Sequence, residues 1–145
     1  MLLNGVITGK LYFLDATLGN LRSLGSLTTK QLDGDWRTKM AVERGLQILV
    51  EIVIDICQHI IAESGKTPAS TSRDAVELCV QMGVLSSTEP FQRMIQFRNL
   101  VVHMYERIDS VFLADILSNR LGDFERFRDE VLAYADRPAT DEAVE

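Results

Sequence analysis

Residues 35–64, DWRTKMAVERGLQILVEIVIDICQHIIAES, read as one uninterrupted helix, and that helix constrains everything around it. Met40, Leu46, Leu49, Val50, Val53, Ile56, Cys57, Ile60 and Ile61 cover most of its circumference. A helix that is apolar nearly all round is stable in water only when neighbours enclose it, so this one is predicted to be central. Glu51 divides its longest apolar windows, 46–50 and 52–56. On that reading no segment reaches the roughly 20 apolar residues that span a bilayer, and a soluble chain with no membrane partner is expected. At 145 residues, 46% hydrophobic and 25% charged, the chain can close its own core. The expectation is one helical domain over residues 1–136, followed by an acidic flexible tail at 137–145.

Four further helices are predicted around the long one. Ile7, Leu11, Leu14, Leu18 and Leu21 step by four and three, describing a first helix despite Gly9 and Gly19. SLTTKQLDGDW reads as a polar connector into the long helix, and Gly65 as its stop. GKTPAST makes a turn, after which Thr71 or Ser72 can cap a third helix running through Gly83. Ser86-Ser87-Thr88-Glu89-Pro90 opens a fourth, and a last helix starts near Asp109 or Ser110 and continues to about Ala135. Strand-like alternation is nowhere convincing, so the predicted fold class is all-α, a five-helix antiparallel bundle.

Charge and cysteine usage narrow the function classes. The net charge of −6 argues against a protein that holds nucleic acid on a broad basic surface, so any polyanion site must be local. Cys57 and Cys79 fall at apolar helical positions without metal or redox spacing and read as buried thiols in a reducing compartment. The first positive charge is Lys10, and no cleavable pattern follows an apolar run. A cytoplasmic location is therefore expected.

The fourth helix carries RNLVVHMYERID, which holds an arginine, one of two histidines and a tyrosine within eight positions. With Arg98 at zero and about 100° per residue, Met94, Phe97, Leu100, Val101, Met104 and Ile108 form a core-facing stripe between roughly 200° and 320°. Asn99, His103 and Glu106 lie between roughly 80° and 140°, and Tyr105 falls about 20° from Arg98, two turns away. A cation, an imidazole and a phenol thus share an accessible side. An imidazole moves protons near neutrality, and a guanidinium grips phosphate through paired hydrogen bonds. Together they suit phosphodiester cleavage by an RNA 2′-hydroxyl, with His103 moving the proton, Arg98 stabilising the phosphoryl oxygens and Asn99 orienting a partner. The plainer reading of such side chains is a solvated or ion-paired helix face.

A second polar row, Glu51, Asp55 and His59, recurs every four residues along the long helix. Two carboxylates and one histidine make a poor zinc site. The row is instead expected to line a cleft, with Asp55 and His59 hydrogen-bonded across one turn, and neither metal nor cofactor is predicted. Met82, Met94 and Met104 stand at packing positions. Trp36 suits either the end of the core or a partner.

Arg98-Asn99-Leu100-Val101-Val102-His103-Met104-Tyr105 fits the R-x4-H-x-Y motif, and the chain resembles the HepT-like branch of the HEPN superfamily of small helical ribonucleases. The similarity continues through AVERGLQILVEIVIDICQHIIAE, the RDA and MGVL pieces and the closing LGDFERF. The resemblance implies a two-fold homodimer, a metal-independent endoribonuclease toxin of a type VII-like toxin–antitoxin pair, and an MntA-like nucleotidyltransferase antitoxin that transfers AMP to the motif tyrosine. It would make Arg98 and His103 the catalytic pair acting on an RNA substrate, Asn99 a support, and Tyr105 the adenylylation target. The alternative is a non-catalytic helical partner that regulates a nucleotidyltransferase.

Overall fold

The computed structural model describes the backbone of residues 4–103 and 108–137, and the side chains of residues 4–100 and 108–137. Seven helices occur among the described residues: α1 (Gly5–Ser23), α2 (Thr29–Gly34), α3 (Trp36–Glu63), α4 (Ser72–Gln81), α5 (Glu89–His103), α6 (Ser110–Asn119) and α7 (Leu121–Ala135). The all-α class holds, whereas the expected five helices become seven. Two local events make the difference. The connector forms α2, opened by a reciprocal box in which the Thr28 hydroxyl accepts from the Gln31 N–H and the Gln31 side chain accepts from the Thr28 N–H. The last predicted helix breaks at Arg120 (φ −121°, ψ 0°) into α6 and α7.

The ends of the other helices follow from named side chains. Asn4 caps α1 by accepting from the Ile7 N–H at 2.8 Å. Asp35 caps α3 by accepting from Arg37 and Thr38, and Thr71, rather than Ser72, caps α4. Gly65 and Gly83 adopt φ of +78° just beyond α3 and α4. The amides that follow, Lys66 and Val84, donate back to the Ile61 and Cys79 carbonyls, which stops each helix in a left-handed cap that favours glycine.

Helix α3 packs against all six other helices. Its residues Leu46, Leu49, Val50, Val53, Ile56, Cys57, Ile60 and Ile61 are buried, as is the α1 row Ile7, Leu11, Leu14, Leu18 and Leu21. Helix α1 runs antiparallel to α3: Asn4 pairs with Glu63, Lys10 with Asp55, and Leu21 lies over Gly45. At Gly45 the helices approach so closely that an added Cβ would stand 2.7 Å from Leu21 Cδ2. Phe91, Phe97, Phe124 and Phe127 complete the core, with Phe91 and Phe127 edge to face at 5.8 Å.

Two expectations need correction, and the alternatives left open for Trp36 narrow. Met40 is 59% exposed, because α1 ends opposite Gly45 and the first turns of α3 run past it. Trp36, one turn earlier, is 67% exposed and carries the Arg37 guanidinium over its ring, so it does not cover the core's end. By length and composition α3 is apolar enough to cross a membrane, contrary to the sequence estimate. Within its apolar stretch Glu51 and Asp55 stand on one row, so they do not interrupt the buried faces, which pack against six helices. Cys57 and Cys79 are both fully buried free thiols, and a side-chain hydrogen bond with Cys79, with burial adding to it, pushes the Cys57 thiol up.

Candidate functional site

Helix α5 starts where Ser87 accepts from the Glu89 N–H and Pro90 pre-sets the first turn. Burial of Phe91, Met94 and Phe97 against α3 and α7 then fixes its rotation. With that face inward, Arg98 emerges on the α3 side and Asn99 on the α4 side. Arg98 is half-buried, with 31% of its side chain exposed, and its Nε lies 3.4 Å from Oε1 of Glu51. This is ion-pair range, but the contact is too poorly aligned to be a hydrogen bond. The guanidinium therefore meets a carboxylate without being locked to it.

The second polar row separates along α3. Glu51 turns to Arg98 of α5, whereas Asp55, one turn on, accepts from Lys10 of α1 at 3.2 Å. The expected Asp55–His59 hydrogen bond does not form: the long lysine stem reaches across the antiparallel α1–α3 contact and brings a full charge to the carboxylate. His59 is half-buried a further turn along. Among the described residues, no group of three or more His, Cys, Asp or Glu side chains is arranged to hold a metal ion.

Asn99 is exposed and lines an open groove of about 590 Å³ between α4 and α5. Gln92 and Gln96 stand on the same wall, Arg73 and Glu77 on the α4 wall, and Val76 and Ile95 contribute apolar surface. The sequence reading missed this groove. Extending the helical wheel backwards from Asn99 would have found its α5 wall, since Gln92 and Gln96 fall at roughly 120° and 160°, beside Asn99.

The structure thus brings Arg98 and Glu51 together, separates Asn99 from Arg98, and sends Asp55 to another partner. The backbone of His103 is described as part of α5, in register with the wall formed by Gln92, Gln96 and Asn99. Its side chain, Met104 and Tyr105 lie outside the described residues, as do residues 138–145 of the expected tail.

These features can be set beside known proteins. The pattern of the family described as Ribonuclease HepT-like matches residues 14–131, from within α1 to within α7. The mRNA nuclease HepT of Shewanella oneidensis is 28% identical over 105 residues, covering 71% of this chain and 79% of that protein. Among solved structures, a tri-AMPylated Shewanella oneidensis HEPN toxin in complex with MNT antitoxin has a TM-score of 0.79 at 23% identity, over 90% of this chain and 99% of that one. A toxin–antitoxin complex with AMP-PNP has the same TM-score, 0.79, at 24% identity and with the same coverage, 90% and 99%. Both structural likenesses speak to the HEPN-like fold. The family match spans the motif, the α3 row and the helices that position them, and on that extent the chain belongs to the HepT-like ribonuclease family.

Proposed function

We propose that the chain is the toxin of a toxin–antitoxin pair and a metal-independent endoribonuclease that works in the cytosol as a two-fold dimer. The carrying observation is the family match over a span that contains R-x4-H-x-Y, with Arg98 partly exposed at a helix surface. The Shewanella oneidensis relative named an mRNA nuclease supports RNA as the substrate class.

In this reading a 2′-hydroxyl gives its proton to an imidazole while its oxygen bonds to phosphorus. The bond from phosphorus to the 5′-oxygen breaks, and that oxygen takes up a proton. The products are a 2′,3′-cyclic phosphate and a 5′-hydroxyl. His103 moves the protons, and a dimer would offer two copies to divide the task. Arg98 can keep Nε towards Glu51 while its Nη edge grips the phosphoryl oxygens. The MntA-like antitoxin would transfer AMP from ATP to the Tyr105 phenol: the phenol oxygen bonds to the α-phosphorus as the phenolic proton leaves, the bond to the β-phosphate oxygen breaks, and pyrophosphate departs. A phosphodiester beside Arg98 would place charge and bulk where substrate phosphate binds. The AMPylated toxin in complex with MNT antitoxin supports that arm.

Purified protein is expected to cleave RNA in EDTA. Arg98→Ala and His103→Ala should each lower the rate by on the order of 100-fold or more without loss of helicity. Arg98→Ala removes only a partly exposed ion pair, so its stability should change by less than about 1 kcal/mol. Intact mass of protein made with its antitoxin should show added AMP, lost in Tyr105→Phe. AMP addition without cleavage by any preparation would instead make the chain a non-catalytic nucleotidyltransferase partner, a reading favoured only by its net charge of −6.

A further inference from the structure

The α4–α5 groove has a makeup that cleavage alone does not call for. Its α5 wall is a row of amides, Gln92, Gln96 and Asn99, spaced four and three apart so that they stack on one helix face. The next position of that spacing is 103, held by the histidine assigned to proton transfer. Each amide offers both a donor and an acceptor. Unstacked bases in single-stranded RNA present the matching groups on their edges. From Gln92 to Asn99 the helix rises about 10 Å, close to the length of three stacked bases at roughly 3.4 Å each. Ile95 and Val76 supply apolar surface against which base faces can lie. Arg73 is 72% exposed and, among the described residues, pairs with Glu77 at 3.7 Å, so a phosphate can recruit it.

We propose that this groove is the base-reading subsite for the RNA segment on one side of the scissile phosphate, with Gln92 and Gln96 as its specificity-determining residues. The inference rests on the ribonuclease reading above and adds to it where the flanking nucleotides lie. Val76, Ile95 and Leu100 would also suit a helix of another chain, but the continuous amide row leading to position 103 favours nucleotide bases over such an occupant.

The test uses the full-length protein and two probes. Cleavage sites are mapped on a random-sequence RNA, and binding is measured with non-cleavable 2′-O-methyl oligonucleotides that differ at single bases. Gln92→Ala/Gln96→Ala should keep its thermal stability, since both side chains are exposed. It should lose on the order of tenfold in kcat/KM at the preferred site, mostly through KM. Its cleavage map and its base preference in binding should flatten. An unchanged map and unchanged base preference in the double variant, with the parent protein active, would overturn the groove assignment and leave the ribonuclease reading standing. A variant that changes only oligomeric state or antitoxin capture would make the groove a protein seat and overturn it equally. If the parent protein binds RNA with a base preference that the double variant loses, but does not cleave it, the groove is upheld and the catalytic reading falls. If the parent binds no RNA at all, both are lost.

Discussion

At the scale of single residues, the defining contact is Arg98 with Glu51. Both side chains keep roughly a third of their surface in solvent, where an ion pair contributes about 0–1 kcal/mol. The pair is thus an electrostatic feature more than a structural one. If Arg98 binds substrate phosphate as proposed, Glu51 would compete with it for the guanidinium. Glu51→Gln is accordingly expected to change stability by less than about 1 kcal/mol while tightening the binding of non-cleavable RNA; equal or weaker binding would mark Glu51 as a contact that orients Arg98. The sequence allowed both residues to be named as site candidates, since each stands on a polar row of its own helix. It could not pair them, because Glu51 and Arg98 are brought together only by the rotation of α5 against α3. The same limit explains Asp55. Its neighbour in sequence, His59, lies one turn away, but its partner, Lys10, lies on another helix.

At the scale of helices, glycines on α1 and α3 carry opposite predictions. Gly9 is exposed, and an added Cβ would meet nothing within 4 Å, so Gly9→Ala should gain up to about 1 kcal/mol from helix propensity. Gly45→Ala receives the same gain but drives a methyl into the Leu21 side chain, where overpacking costs about 1–3 kcal/mol. A net loss of roughly 1 kcal/mol is expected, so the two variants should move Tm in opposite directions by about 2–4 °C. Equal shifts would show that α1 and α3 separate easily at this point. Helix starts were legible at Asp35, Thr71 and Asp109, where a capping side chain stands at the expected boundary, whereas the Asn4 cap of α1 went unread. The Thr28-x-x-Gln31 box was also present in the sequence, though its short run holds only Leu32 as a buried anchor. The break at Arg120 left no trace in the pattern. Leu113, Leu117, Leu121 and Phe124 keep helical spacing straight through it, and all four are buried.

At the scale of the whole molecule, the response to pH combines charges from separate helices. A side-chain hydrogen bond from Thr38 holds the Asp35 carboxyl below its ordinary value, and Arg22 does the same for Glu125 across the α1–α7 contact. A folded pKa below the unfolded one means stability that is present above about pH 4 and lost as pH falls through the folded values. Asp123 works the other way. Burial pushes its carboxyl up despite nearby Arg120 and Arg126, so its charge weakens the fold at neutral pH and the penalty disappears on protonation. Asp123→Asn should therefore melt higher than the parent at pH 7, with the gap closing as pH falls towards 4; a gap that persists in acid would mean burial of this charge is not the cause.

The sequence by itself determined that α3 must be enclosed, because a helix apolar on most sides has no other stable state in water. It also determined where most helices begin, because caps act within four residues, and which helix carries the motif. Only the tertiary structure decided which charges meet, which side of α5 faces α4, and that a groove lies between them. Those outcomes depend on the rotation and separation of packed helices, and these are set by the fit of side chains far apart in the chain, such as Leu21 over Gly45 and Phe91 against Phe127.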